Sequence, residues 1–369
     1  MGHGIAQASA MAGYRTLFYA RSEGSAQRCL AKIEKSLSKF VLKGKLTESE
    51  MEEILHQRLV PVYSMEEGIR EADLIVESIP EILDDKLEVF RAINANAKPD
   101  AIITSNTSTI RISNFATVLD RPENLIGLHF FNPVVIMKLV EIIRVPATSD
   151  ETVARAEAFV RSLPKVPVIA RKDVVGFIVN RVTLPVSAYI LKCLYEKDGI
   201  PFEELDAGMR KSGDPMGYFE LRDFTGIDVS YNVGNYCSKA LGEEYAPAET
   251  LKKLISEGRL GKKAGRGFYD WSNGRPVIDL TLDKGRYNAE DCTIIRANEA
   301  CKLVDEGVCS FEDVDLAVRY GLNLPGPIEA IQGFRPEELA ARLNGWAERY
   351  GMEMFRPAAS IVSGAYLKN

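Results

Sequence analysis

Short apolar runs alternate with stretches of helical periodicity through the first half of the chain, and this alternation predicts an α/β layer structure. The runs lie at 16–20, 74–76, 101–104, 125–131, 139–145 and 166–170, each short enough for a buried strand. Helical spacing marks 23–42 and 150–162, and Thr47-Glu48-Ser49-Glu50 supplies a capping box that opens a further helix. Gly2-His3-Gly4-Ile5-Ala6-Gln7-Ala8 reads as a helix amino end rich in small residues. From Asp173-Val174-Val175-Gly176-Phe177-Ile178-Val179-Asn180-Arg181 onward the pattern becomes helix-rich.

The helix-rich part contains a repeat. Phe202, Glu203, Asp206, Arg210, Gly217 and Glu220 recur at one constant offset as Phe311, Glu312, Asp315, Arg319, Gly326 and Glu329. Six positions in one register argue for two related helical domains rather than a general bundle likeness. The second copy has no counterpart of the Phe177–Arg181 word. The expected organisation is a Rossmann-type dinucleotide-binding domain at 1–171 with a helical hairpin insertion, then two related all-α domains at 172–271 and 285–369. A unit of the first kind needs a buried strand and a G-x-G-x-x-G turn ahead of its first helix. Neither precedes Gly2.

Charge and composition narrow the function classes. The net charge of -6 argues against nucleic acid as the main partner. No apolar run reaches membrane-spanning length without a charge, and the amino end lacks a signal-peptide pattern. Six cysteines without a C-x-x-C pair or metal spacing read as reduced core thiols, so a cytoplasmic or matrix protein without a metal site is expected.

Candidate chemistry centres on one histidine. Only His3, His56 and His129 exist; His129 follows an apolar run, and Glu141 follows the next one twelve positions on. An imidazole titrates near neutral pH, and a carboxylate on the neighbouring strand fixes its tautomer and raises its basicity. Further polar residues close the strand-like runs: Glu77 to Glu81 with Lys86 beyond, and Ser105-Asn106-Thr107-Ser108. Carboxyl ends of parallel strands face the ligand crevice of such folds, although a surface ion pair or an ordinary turn would produce the same words singly.

Several long words resemble the L-3-hydroxyacyl-CoA dehydrogenase family. They are Ser105–Ser108, Gly127-Leu128-His129-Phe130-Phe131-Asn132-Pro133 with Met137-Lys138-Leu139-Val140-Glu141, and Phe177–Arg181. Gly213-Asp214-Pro215-Met216-Gly217 and the stretch from Gly261 to Tyr269 complete the set. The resemblance runs from Met1 to about Tyr269, and the duplicated helical domain is similar to that of long-chain and multifunctional members, where it stands in for a dimer partner. It implies interconversion of (S)-3-hydroxyacyl-CoA and 3-oxoacyl-CoA with a nicotinamide cofactor, in fatty-acid metabolism. His129 would take the proton, Glu141 would orient it, and Ser108 and Asn180 would hold the substrate oxygen, Asn180 arriving when the domains close. Asn132 would brace the substrate loop or form a plain Asn-Pro turn. Gly2, Glu81, Lys86 and Asn106 would lie on the cofactor side. Lysines 32, 35, 39, 43 and 45 form a solvated face that borders the CoA tail in the family. The resemblance also allows a fused or associated enoyl-CoA hydratase, beyond a carboxyl end with no stop in its helical pattern, and a homodimer.

Two departures set expectations of their own. Met1-Gly2 matches the M-G of the family phrase G-x-G-x-M-G-x-G-I-A, which points to a gene model started at an internal methionine and to poor dinucleotide binding by the chain as it stands. The family's acidic residue after the second strand is replaced by Ala20, followed by Arg21. Loss of the acid beside a gained arginine is the pattern for a 2′-phosphate, so NAD is expected with NADP as the alternative. The competing reading is a non-catalytic fragment or structural relative of a multifunctional β-oxidation enzyme.

Overall fold

The computed structural model describes residues 1–367; Lys368 and Asn369, the last two of the expected third domain, lie outside them. The strands are β1 (Thr16–Tyr19), β2 (Leu59–Val62), β3 (Leu74–Glu77), β4 (Ile102–Ser105), β5 (Leu125–Phe130), β6 (Leu139–Ile143) and β7 (Val166–Ala170). Among them stand α1 (Gly2–Met11), α2 (Glu23–Leu42), α3 (Glu48–Glu53), α4 (Met65–Glu71), α5 (Leu83–Asn96), α6 (Ser113–Ala116) and α7 (Asp150–Ser162). The capping box foreseen in the sequence is made: Thr47 accepts from the Glu50 amide at 3.2 Å, and Glu50 accepts in return from the Thr47 amide at 2.8 Å.

Sheet order among the described residues is β1-β2 in one piece and β3-β4-β5-β6-β7 in another. All ladders are parallel except β5–β6, which is antiparallel and pairs His129 directly with Glu141. Both strands are buried along their whole length, which is why their sequences are almost unbroken apolar runs. Ile126, Leu128, Phe130, Val140 and Ile142 join Ile5 and Ala8 of α1 and Ala156 and Val160 of α7 in one core cluster. His129 and Glu141, at the alternate positions, therefore point to the opposite face of the sheet.

Helices follow: α8 (Val179–Ala188), α9 (Phe202–Lys211), α10 (Tyr218–Thr225), α11 (Ile227–Leu241), α12 (Glu249–Ser256), α13 (Ala289–Asp305), α14 (Phe311–Leu322), α15 (Pro327–Ala330), α16 (Pro336–Tyr350) and α17 (Ala359–Ser363). The compact units cut across the three expected domains. One comprises Met1–Phe177 with Gly307–Leu324, the other Ile178–Glu306 with the chain from Pro325 on. The reason is packing: α14 lies against β6 and β7. Arg171 donates its amide to the Val308 carbonyl at 2.7 Å and its guanidinium to Asp313 at 3.0 Å.

In the second unit two buried aspartates organise the long glycine-rich words. Asp206 accepts from the Phe219 and Glu220 amides, each at 2.9 Å, and from the Tyr269 hydroxyl at 3.0 Å. Asp223 accepts from the Phe268 and Tyr269 amides at 2.8 Å and from the Trp271 indole at 3.0 Å. A side chain at Gly267 would put its Cβ 1.9 Å from the Asp223 carboxylate, so that word is dictated by close approach.

Candidate active site

The antiparallel ladder sets the central pair. His129 Nδ1 lies 2.6 Å from Glu141 Oε2; the histidine is 5% exposed and the glutamate fully buried. The imidazole ring rests against Phe131 and Phe177, with centroids 4.5 Å and 5.7 Å away. Phe177 holds its ring there from a left-handed backbone at φ 53, an uncommon conformation for a bulky residue. One strand over, Asn106 at the end of β4 accepts the Phe130 amide at 2.9 Å and so ties that end to the residue after His129.

A second network occupies the ends of β3 and β4. Glu81 Oε1 accepts from the Thr107 hydroxyl and from the Ser108 and Thr109 amides at 3.1 and 3.2 Å. Ser108 Oγ lies 3.3 Å from Thr109 Oγ1. Lys86 was expected on the cofactor side, but its side chain is 1% exposed. Its ammonium donates to Glu77 at 2.7 Å and to the Ile79 carbonyl at 3.2 Å, and pairs with Glu81 at 3.2 Å. Of the expected Glu81–Lys86 pair, only Glu81 reaches the surface.

The remaining expected residues are dispersed. Ala20 is buried just past β1 and Arg21 is exposed. Asn132 is exposed and forms a cis peptide with Pro133. Asn180 stands in the first turn of α8, in the other compact unit, where its carbonyl accepts from the Thr183 hydroxyl at 2.7 Å. The five lysines of the α2–α3 hairpin are all exposed.

Three residues have places in the network that sequence reasoning did not assign. Glu77 is the buried centre of the β3–β4 network, and Thr107 is a ligand of Glu81. Lys165 is the third: its ammonium bonds the carbonyls of Val134 and Met137 in the loop between the His129 and Glu141 strands. Burial with no opposing charge lowers Lys165 to about 8. Glu77 and Thr107 stood in the polar words that close the β3 and β4 runs, without a role of their own; Lys165 left no signal.

The residues present fit a dinucleotide in part. The amino end of α1 has no side-chain cap, and the Gly4 and Ile5 amides turn to the Met1 carbonyl, which leaves the Gly2 and His3 amides to meet a pyrophosphate. The described sheet stands in two pieces, β1-β2 and β3 to β7, with the strand and glycine turn expected ahead of α1 not among them. Among the described residues no cluster of acids, histidines and cysteines could hold a metal ion, and no helix is long and apolar enough to cross a membrane.

An imidazole backed by a buried carboxylate on neighbouring strands, in an α/β unit whose first helix opens without a cap, fits a dinucleotide-dependent oxidoreductase. Comparison with known proteins is more specific. Residues 1–174 match the family model described as 3-hydroxyacyl-CoA dehydrogenase, NAD binding domain, and residues 176–271 and 290–363 match its C-terminal domain. A probable 3-hydroxybutyryl-CoA dehydrogenase of Bacillus subtilis is 37% identical over 273 residues, covering 73% of this chain and 94% of that protein. The fatty acid oxidation complex subunit alpha of Shewanella amazonensis is 32% identical over 93% of this chain, which spans only 51% of that subunit. The crystal structure of 3-hydroxybutyryl-CoA dehydrogenase from Escherichia coli K12 superposes with a TM-score of 0.88 at 28% identity, covering 99% of this chain and 96% of the other. The chain belongs to the 3-hydroxyacyl-CoA dehydrogenase family, oxidoreductases of hydroxyacyl-CoA that use NAD.

Proposed function

We propose that His129 is the base and acid of this oxidoreduction, with (S)-3-hydroxyacyl-CoA of short chain as substrate. The observation that carries the reading is the 2.6 Å contact between His129 Nδ1 and a fully buried Glu141. With Nδ1 committed to the carboxylate, Nε2 is the nitrogen left to take the hydroxyl proton in oxidation and return it in reduction. Glu141 stabilises the imidazolium that forms. Ser108 and Asn180 donate to the substrate oxygen. Asn132 lines the substrate side of the loop, and Gly2, Glu81 and Asn106 line the cofactor side. Bound nicotinamide supplies the hydride acceptor.

The two matches to one C-terminal domain model support a duplicated helical domain. The reading extends to a cytoplasmic enzyme of fatty-acid oxidation. It works beside an enoyl-CoA hydratase, the class of enzyme whose product is a 3-hydroxyacyl-CoA. Arg21 lends the site some use of NADPH. The test is turnover by the full-length protein with 3-hydroxybutyryl-CoA and NAD, compared with Ser108→Ala and Asn180→Ala. Each substitution should lower kcat at least tenfold, the scale of one lost donor to developing charge. Wild-type kcat in both variants overturns the assignment.

A further inference from the structure

Glu77 is the last residue of β3 and pairs in register with Ser105, the last residue of β4. Its side chain is fully buried, as is that of Lys86 opposite. Charges so placed persist only when partnered and hydrogen-bonded, and two partners of Glu77, Ser105 and Lys86, lead towards one short turn. Oε2 accepts from the Ser105 hydroxyl at 2.5 Å, and Ser105 Oγ in turn accepts the Thr107 amide at 3.1 Å. Oε1 accepts from the Ile79 amide at 2.6 Å and from Lys86 at 2.7 Å. Lys86 passes to Glu81 at 3.2 Å, and Glu81 binds the Thr107 hydroxyl and the Ser108 and Thr109 amides. Glu77 therefore grips the 107–109 turn by two routes, one through Ser105 and one through Lys86 and Glu81.

We propose that Glu77 is a positioning residue for catalysis, which sets Ser108 through the Lys86–Glu81 relay and the Ser105 hydroxyl. The proposal rests on the reading of Ser108 as a donor to the substrate oxygen. The electrostatics give its direction. One ammonium is shared between two carboxylates, so neither holds it alone. Removing the charge at Glu77 leaves Glu81 as the only anion facing Lys86. Glu81 is 38% exposed and can move; it is then drawn towards the ammonium and away from the turn amides, and Ser108 loses its fixed orientation.

The experiment is a double-mutant cycle in the full-length protein with Glu77→Gln and Ser108→Ala, read in kcat and KM, beside amide hydrogen exchange of the 107–109 turn. Glu77→Gln should lower kcat roughly tenfold with little change in KM, the scale of one weakened charge-assisted contact. In the Ser108→Ala background the same change should cost nothing further, because the group it positions is gone. Exchange at Ser108 and Thr109 should quicken at least tenfold. Equal losses in both backgrounds, or unchanged exchange at the two amides, overturn the proposal. A Ser108→Ala protein with wild-type kcat overturns the role of Ser108 instead, and the exchange arm still reads the grip of Glu77 on the turn. Should Glu77→Gln fail to fold, Ser105→Ala removes the hydroxyl route from Glu77 to the turn and must give the same coupled pattern.

Discussion

Replacing Glu141 by glutamine keeps the shape of the central pair and removes its charge. Glu141 has no exposure and His129 only 5%, so water cannot take the place of the lost carboxylate. A hydrogen bond to a charged group contributes about 1.5–3 kcal/mol net. At about 1.36 kcal/mol per decade of rate, losing it from the imidazolium slows turnover about 10- to 150-fold. A second effect adds to the first. The glutamine amide can donate to Nδ1, which places the ring proton on Nε2 and blocks the nitrogen that must accept. Together these predict a fall in kcat of two or more powers of ten, with KM within about threefold, since the interaction is made in the transition state rather than on binding. The assay is steady-state NADH oxidation with a short 3-oxoacyl-CoA, with circular dichroism to establish the fold. A folded Glu141→Gln protein with kcat within threefold of wild type refutes the reasoning, as does a loss carried mainly in KM.

Other expectations follow from the same structure. Arg21→Ala should reduce kcat/KM for NADPH roughly tenfold and leave NADH use intact, while Ala20→Asp should sharpen the preference for NADH, each by about one charge-assisted contact; an NADH preference unmoved by either change makes Arg21 a surface charge only. Gly267→Ala should prevent stable folding of the helical unit, because its Cβ would fall 1.9 Å from a carboxylate that three donors hold in place; a normal melting curve refutes that. Burial pushes the Asp206 carboxyl up to about 6 from the ordinary aspartate value. Ionised at pH 7 it therefore opposes folding by on the order of 3 kcal/mol, relieved as pH falls through 6 towards 4. Denaturant melts should show wild type gaining on Asp206→Asn between pH 7 and 5, and a constant difference contradicts the shift.

What was legible in the sequence follows from how each feature is encoded. β5 and β6 are buried on both faces, so their apolar runs announced them, and the first polar side chain in each run was the one that matters. The cap of α3 was equally plain because it is local. β2 was missed because Leu59-Val60-Pro61-Val62 carries a proline, tolerated only because the strand pairs on one side. Packing of α14 against β6 and β7 left no periodic trace; the repeat placed Phe311 in a helical domain, but contacts from Arg171, and Lys138 at 5.9 Å from the Tyr320 ring, draw that helix into the first unit. The glycine-rich words that carried much of the resemblance turn out to serve Asp206 and Asp223 rather than chemistry. Glu77 was hidden because one acid at a strand end has no pattern; its meaning lies in Lys86 and Ser105, which only the fold brings to it.

The central claim is that His129 moves the proton in oxidation of a 3-hydroxyacyl-CoA. Its most direct test is NAD reduction by the full-length protein and by His129→Ala, each given the (S) and (R) forms of 3-hydroxybutyryl-CoA. The account predicts turnover with the (S) form, little with the (R) form, and a loss of roughly two or more powers of ten in kcat for His129→Ala. Wild-type turnover by a folded His129→Ala protein would contradict it.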